Sequence, residues 1–277
     1  MNAEWSSSSR PPLTAAGRRL EAYWIGPPPG ASPTLVFLHE GLGSARAWLR
    51  FADSVVEGTG LGALVYSRAG YGSSDPADLP FLVRFMHDEA LVVLPEVLDA
   101  TGIRDAILVG HSDGASIALI HAAGPGRGRI RALALEAPHS FVEPVTIASI
   151  AALPERFREG DLRRKLERLH GTNTERIFHG WTDVWLRPEF AAWSIEEFLP
   201  SVTCPVLVVQ GEQDEYGTVR QVEAVKSKVR GPVEILLLPG CGHAPHRDRR
   251  EETLAAIVGF VGQVIVTPPR GTPTRRG

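Results

Sequence analysis

Short apolar runs bounded by glycine or proline recur along the chain and alternate with segments of helical pattern. Buried strands separated by helices indicate βαβ units around a parallel sheet. The sequence therefore predicts an α/β fold. The predicted strands cover residues 19–25, 33–40, 62–67, 105–110, 131–137, 204–211 and 233–240, and the predicted helices cover 87–101, 114–123, 218–230 and 249–263.

One segment breaks this alternation. Residues 140–200 contain no convincing strand, are largely helical in pattern, and hold Trp181, Trp185 and Trp193. An insertion between two core strands is expected to lie over the carboxyl edge of the sheet, where open α/β sheets bind ligands. We predict that this segment is a helical cap. For at least two of the three tryptophans, packing within the cap itself is the better interpretation.

Length and charge set the remaining limits. The 277 residues fit one large domain with a moderate insertion, and 43% hydrophobic with 22% charged residues is ordinary globular composition. We predict a core of residues 13–139 and 201–265, with flexible termini at 1–12 and 266–277. A net charge of −3 without a long basic run gives nucleic-acid binding no electrostatic support.

The beginning of the chain and its hydropathy bear on location. The first residues lack a basic region followed by an apolar run, so they do not predict a secretory signal. No apolar stretch approaches the roughly 20 residues needed to span a bilayer. We therefore expect a soluble cytoplasmic protein that does not act on a membrane.

The chemistry centres on the stretch Gly110-His111-Ser112-Asp113-Gly114, which we call the elbow (residues 110–114). This G-x-S-x-G pattern follows a predicted strand and precedes a predicted helix, the context in which a serine projects its hydroxyl outward as a nucleophile. The alternative is a turn that merely needs small residues. His111 and Asp113 are poor partners for Ser112, because adjacent side chains on a sharp turn point apart. Asp113 is expected to offer its backbone N–H to an oxyanion.

The base must come from elsewhere among the nine histidines. His243 lies in a loop of small residues after the last predicted strand and before the closing helix, and it fits the chain order Ser…Asp…His. His246 and His39 are the competing histidines. We predict that His243 is the base.

The acid candidate is Asp214, in the loop after strand 204–211. A carboxylate there could hold the imidazole in one tautomer and stabilise the imidazolium. The alternative is a loop aspartate that satisfies local backbone groups. The competing carboxylates are Glu136, Glu212 and Glu215.

A metal site is an alternative interpretation of the closing loop, because Cys241, His243, His246 and Asp248 lie close together in sequence. One loop with one thiol and two imidazoles lacks a second ligand pair at a recognised zinc spacing. We therefore expect neither a metal nor another cofactor.

Five motifs occur together in order and resemble those of the α/β-hydrolase superfamily over roughly residues 15–263. They are LVFLHEGLGSARAW, VYSRAGYGSSD, LVGHSDGAS, VLVVQGEQDEYG and LPGCGHAPHRD. The resemblance implies a serine-hydrolase triad of Ser112, Asp214 and His243, and a helical cap after the sixth core strand. It is strongest to the branch of esterases, lactonases and carbon–carbon-bond hydrolases. A serine at the elbow disfavours haloalkane dehalogenases and epoxide hydrolases, which use an aspartate nucleophile.

The chain departs from this family at Glu40, where glycine usually follows the histidine. By position, the N–H of Gly41 would be the second oxyanion donor, opposite that of Asp113. A carboxylate aimed at the oxyanion would oppose catalysis. Glu40 could instead form a salt bridge, with Arg68 as a candidate, or contact a cationic or hydroxylated substrate group; we favour a structural role.

The leading hypothesis is a cofactor-independent serine hydrolase acting on a small-molecule carboxylic ester or lactone. Carbon–carbon hydrolysis or acyl transfer would use the same triad, and a receptor on a hydrolase scaffold is an alternative of another class. Candidate substrate-binding residues are Glu40, His139, Trp181 and Trp185, although packing explains His139 equally well. A hydrophobic patch on the cap could serve a homodimer, and nothing in the sequence establishes one.

Overall fold

Seven of the strands found within residues 13–266, the part of the chain that the computed structural model describes, form one twisted sheet. In chain order the strands are β1 (Leu13–Ala15), β2 (Arg18–Leu20), β3 (Ala22–Ile25), β4 (Thr34–Leu38), β5 (Ala63–Tyr66), β6 (Ala106–His111), β7 (Ile130–Glu136), β8 (Val206–Gly211) and β9 (Val233–Leu238). The sheet order is β3-β5-β4-β6-β7-β8-β9. Only β3 in this sheet runs antiparallel to its neighbour, and β1 pairs with β2 in a separate hairpin.

Helices follow most of the strands of this sheet. They are α1 (Ala45–Thr59), α2 (Phe85–Asp88), α3 (Leu94–Ala100), α4 (Asp113–Ala123), α5 (Pro144–Ala151), α6 (Leu153–Glu159), α7 (Leu162–His170), α8 (Thr174–Trp185), α9 (Val219–Lys228), α10 (Pro245–Asp248) and α11 (Arg250–Val266). This is the predicted α/β architecture, a mostly parallel sheet flanked by helices.

The central strands are mostly apolar because both faces of the sheet are covered. On one face, Leu35 and Phe37 of β4 pack with residues of α1 and α11, among them Trp48 and Phe260. On the other face, Val36 of β4 belongs to a cluster with residues of α3, α4 and α9. The parallel strands therefore end at one common edge, and side chains in the loops after β6, β8 and β9 are brought together there.

Two predicted elements differ in detail. The strand predicted at 19–25 is divided into β2 and β3, because one part pairs in the hairpin and the other in the main sheet. The helix predicted at 87–101 contains a π-helical turn, Glu89–Val93, between α2 and α3. Pro95 stands at the beginning of α3, where its missing N–H and its ring are tolerated.

Residues 140–200, which we call the 140–200 segment, hold α5 to α8 and follow β7. The resemblance implies an insertion after the sixth core strand. In chain order, β7 is the fifth strand of the main sheet, and it is the seventh strand of the described chain when the hairpin is included. Trp185, Phe190 and Trp193 pack together, with ring centroids 4.5 to 6.1 Å apart. Two of the three tryptophans thus contribute to the segment's own core.

The predictions of flexible termini at 1–12 and 266–277 fall outside the described residues, except at Val266. Val266 is the last residue of α11. None of the helices within residues 13–266 combines the length and the apolar character needed to cross a membrane.

Candidate active site

Ser112 lies on the sharp corner between β6 and α4. Its backbone has φ 54° and ψ −118°, a conformation that non-glycine residues rarely adopt. The corner is crowded: a Cβ on Gly114 would lie 2.1 Å from the carbonyl oxygen of Leu38, and one on Gly110 would lie 2.6 Å from the carbonyl oxygen of Gly114. The two glycines of the elbow are therefore required by packing, and they allow the turn that presents the Ser112 hydroxyl.

His243 lies in the loop after β9 and reaches Ser112. Its Nε2 is 2.9 Å from the Ser112 Oγ, and its Nδ1 is 2.9 Å from both carboxylate oxygens of Asp214. Because an ionised carboxylate only accepts, the Nδ1–H donates to Asp214 and the Nε2 is left to accept the hydroxyl proton of Ser112. The three residues predicted from sequence are thus in one hydrogen-bonded series.

Asp214 is itself held in place by three donors. The N–H groups of Tyr216 and Gly217 donate to Oδ1 at 2.7 and 3.2 Å, and the side-chain amide of Gln210 donates to Oδ2 at 2.7 Å. Burial alone would raise the pKa of Asp214, but the hydrogen bond and charge of His243 and the N–H of Tyr216 lower it to about 2. Asp214 is therefore an anion at neutral pH.

The competing side chains have other partners. Glu136 accepts from His246 Nδ1 at 2.8 Å, and Glu215 accepts from the backbone N–H of His243 at 3.3 Å. Asp248 accepts from the backbone N–H of Gly242 at 3.0 Å. Within residues 13–266, no three or more His, Cys, Asp and Glu side chains are grouped in a way that could hold a metal ion.

Gly41 lies in the loop after β4 and lines the same cavity as Ser112, and Asp113 follows Ser112 as the first residue of α4. Neither N–H has an acceptor among the residues that the structure describes. The carbonyl oxygen of Glu40 accepts from His39 Nδ1 at 2.8 Å and from Arg68 Nη2 at 3.2 Å. Since C=O and N–H point in opposite directions in a trans peptide, these two bonds fix the direction of the Gly41 N–H.

Trp181, in the second half of α8, contacts both residues that carry these amides. Its indole N–H donates to Asp113 Oδ2 at 2.8 Å. The indole ring also covers Gly41, where an added Cβ would lie 2.2 Å from the ring. Glycine at position 41 is therefore required by Trp181. The 140–200 segment is thereby tied to the elbow.

The Asp113 carboxylate is fully buried, and its Oδ2 also lies 3.8 Å from Arg68 Nη2. Burial raises its pKa, while the positive charge of Arg68 and the hydrogen bond from Trp181 oppose that rise. The suggested salt bridge between Arg68 and the Glu40 side chain is not formed. Arg68 binds the backbone carbonyls of His39 and Glu40 and faces Asp113 instead, because its buried guanidinium reaches behind the loop.

A cavity of about 420 Å³ opens in front of Ser112. Of the predicted substrate-binding residues, Glu40, Trp181 and Trp185 line it. Much of its remaining wall is apolar and comes from the 140–200 segment: Ile150, Leu153, Leu162, Leu166 and Leu169. A larger cavity of about 660 Å³ lies at the opposite edge of the sheet, and none of the candidate site residues lines it.

His139 is not among the described residues that line this cavity. It lies behind His243, with ring centroids 5.6 Å apart, and against Trp185 at the same distance. Burial, followed by the charge of His243, lowers the pKa of His139 to about 3, so the ring is neutral. Its position is that of a packing residue behind the site.

The bond between Trp181 and Asp113 leads to a prediction about stability. We expect Trp181→Phe to lower the free energy of unfolding by about 1–3 kcal/mol more than Trp193→Phe, because it leaves a buried carboxylate oxygen without its donor. Trp193 is a matched control, since it is equally buried and its indole nitrogen has no partner among the described residues. Urea titrations of the two variants would measure the difference; equal losses would mean that the bond contributes nothing.

Comparison with known proteins shows the family of this chain. Residues 35–257 match the model of the alpha/beta hydrolase family, and the chain belongs to that family. A proline iminopeptidase of Saccharolobus solfataricus is 24% identical over 85% of this chain and 86% of its own length. The chain is a hydrolase by this membership.

Two solved structures share the fold at lower identity. The enol-lactonase of Burkholderia xenovorans LB400 is 18% identical, with a TM-score of 0.71 over 91% of this chain and 100% of its own. The 2-hydroxy-6-oxo-6-phenylhexa-2,4-dienoate hydrolase of Rhodococcus sp. strain RHA1 is 16% identical, with a TM-score of 0.75 over 92% of this chain and 98% of its own.

Proposed function

We propose that the protein is a serine hydrolase that cleaves a carboxylic ester or lactone, with Ser112 as nucleophile, His243 as base and Asp214 as the residue that orients the base. The observation that carries this proposal is the series of 2.9 Å contacts from Ser112 Oγ through the imidazole to Asp214. Such a series is the arrangement that acyl transfer to a serine requires.

The reaction follows from the positions of the protons. As Ser112 Oγ forms a bond to the carbonyl carbon, its proton passes to His243 Nε2. The oxyanion is held by the N–H groups of Gly41 and Asp113, each of which is typically worth about 3 kcal/mol of barrier lowering. When the intermediate collapses, the leaving alkoxide takes the proton from Nε2. A water molecule then gives its proton to Nε2, attacks the acyl-enzyme, and releases the acid with Ser112 restored.

The test uses the full-length protein with p-nitrophenyl hexanoate and, separately, a fluorophosphonate probe. We expect ester turnover and one phosphonyl adduct, which mass spectrometry locates on Ser112. Absence of the adduct would overturn the nucleophile assignment. An adduct without turnover on a panel of esters and lactones would contradict the ester assignment and favour the carbon–carbon hydrolase or acyl-transfer alternative. A prolyl arylamide belongs in the panel because a relative is a proline iminopeptidase.

The apolar wall of the cavity predicts a preference for longer acyl chains. Each methylene removed from water contributes about 0.8 kcal/mol, or about a fourfold rise in kcat/KM. We therefore expect kcat/KM to rise by about two orders of magnitude from p-nitrophenyl acetate to the hexanoate. Leu162→Asp should remove most of this rise, whereas Leu82→Asp, an exposed position outside the cavity, should not. A flat series in the wild-type protein would contradict this assignment of the acyl site.

A further inference from the structure

Glu40 and His111 leave two buried polar atoms facing each other. Glu40 Oε2 and His111 Nδ1 lie 3.6 Å apart, and neither atom has a hydrogen-bond partner among the described residues. The Glu40 carboxylate lies over Gly43, where an added Cβ would be 2.1 Å from Oε2. Glycine at position 43 therefore makes the space in which the carboxylate turns toward His111.

The other ring nitrogen of His111 fixes its hydrogen. His111 Nε2 lies 2.7 Å from the backbone carbonyl oxygen of His243, which can only accept, so Nε2 carries a hydrogen and donates it. If Nδ1 carried none, its lone pair would face a carboxylate. A second hydrogen on Nδ1 would turn this repulsion into an ion pair between the two buried atoms.

Three titratable or charged groups near Glu40 have other partners. His246 donates to Glu136 at 2.8 Å, and Arg68 faces Asp113. His39 Nε2 accepts from the backbone N–H of Arg68, and burial holds the pKa of His39 well below its ordinary value, so this ring is neutral. Burial would raise the pKa of Glu40, but His111, followed by His246 and His39, lowers it below its ordinary value.

We propose that Glu40 and His111 form an ion pair that positions the site. The imidazolium neutralises the carboxylate next to the Gly41 amide, and its Nε2–H holds the loop that carries His243. Both are positioning residues. The inference rests on the proposed function, because it concerns how Ser112 and His243 are kept competent. It also gives a buried partner to the Glu40 carboxylate, at the position where the resemblance described above implies glycine.

A double-mutant cycle tests the coupling. We expect His111→Gln to lower kcat by about 100-fold with little change in KM, since it leaves Glu40 unneutralised beside the oxyanion. Glu40→Gln alone should lower kcat by about tenfold or less. The double variant should be about tenfold more active than His111→Gln, because removing the carboxylate removes the repulsion. A purely structural role would make the two losses add, and additivity would overturn the proposal, as would an increase in kcat for Glu40→Gln alone.

The protonation state can be measured without a variant. In a ¹⁵N spectrum of the histidine rings of the wild-type protein at pH 7, we expect both His111 nitrogens in the range of protonated nitrogen. An unprotonated Nδ1 would overturn the proposal even if the His111 variants fail to fold. A wild-type protein that neither turns over esters nor reacts with the fluorophosphonate probe would contradict the proposed function instead, while the ring spectrum still reports on the ion pair.

Discussion

Ser112→Ala is expected to reduce kcat/KM for p-nitrophenyl hexanoate by on the order of 10⁵–10⁶, because the hydroxyl that His243 Nε2 contacts is that of Ser112. The backbone amides of Gly41 and Asp113 remain in the variant. A small residual rate above the uncatalysed reaction is therefore expected from the oxyanion donors alone. Steady-state hydrolysis at substrate concentrations above and below KM would measure the loss.

Ser116→Ala is the matched control for this variant. Ser116 lies one turn further along α4, and its buried hydroxyl donates to the carbonyl oxygen of His139 at 2.7 Å. Its loss should change stability more than turnover, with kcat/KM within about tenfold of the wild type. The nucleophile would have been assigned to the wrong serine if Ser112→Ala kept more than about 1% of wild-type activity and Ser116→Ala kept less activity than Ser112→Ala.

Asp214→Asn is expected to lower kcat by about 10⁴-fold with the fold intact. If the new NH₂ group faces His243, the ring must accept at Nδ1 and carry its hydrogen on Nε2, where it can no longer take the proton of Ser112. The surroundings accommodate this change, because Gln210 Oε1 is buried without a partner and a rotation of that amide would let it accept from the new NH₂ group. The wrong tautomer would thus be stabilised.

The measurement is kcat over a range of pH, with Glu212→Gln as the control in the same loop. Glu212 is exposed and should be replaceable without loss. We expect the Asp214→Asn variant to recover part of its rate at high pH, where hydroxide can deprotonate Ser112. Wild-type kcat in Asp214→Asn would show that another carboxylate orients His243.

The sequence was sufficient to predict the parallel sheet, because buried strands and amphipathic helices have periodicities that can be read locally. It also indicated Ser112, Asp214 and His243, since each lies in a loop directly after a predicted strand and the carboxyl ends of parallel strands meet at one edge. The proximity of these three side chains could therefore be predicted from the topology of the sheet alone. Their catalytic roles stay predictions until the variants are made.

Side-chain contacts between residues far apart in sequence could not be predicted in the same way. Arg68 follows a strand and was a reasonable partner for Glu40, yet its guanidinium lies behind the loop and faces Asp113. Trp181 could be assigned to the cavity but not to its bond with Asp113. His139 follows β7 at the same edge as the site, and only the packing of Trp185 against it places it behind His243. No periodicity encodes such contacts.

The bond from Trp181 to Asp113 joins α8 of the 140–200 segment to a residue whose backbone amide is proposed to hold the oxyanion. Any outward movement of α8 would withdraw the indole from both Asp113 and Gly41, the two residues whose amides are assigned to the oxyanion. An open form that admits a large ester would therefore lack a properly supported oxyanion site, and a closed form would regain it. Substrate entry and bond cleavage would then take place in different conformations. The hydrogen bond of Trp181 to Asp113 would be present only in the closed one.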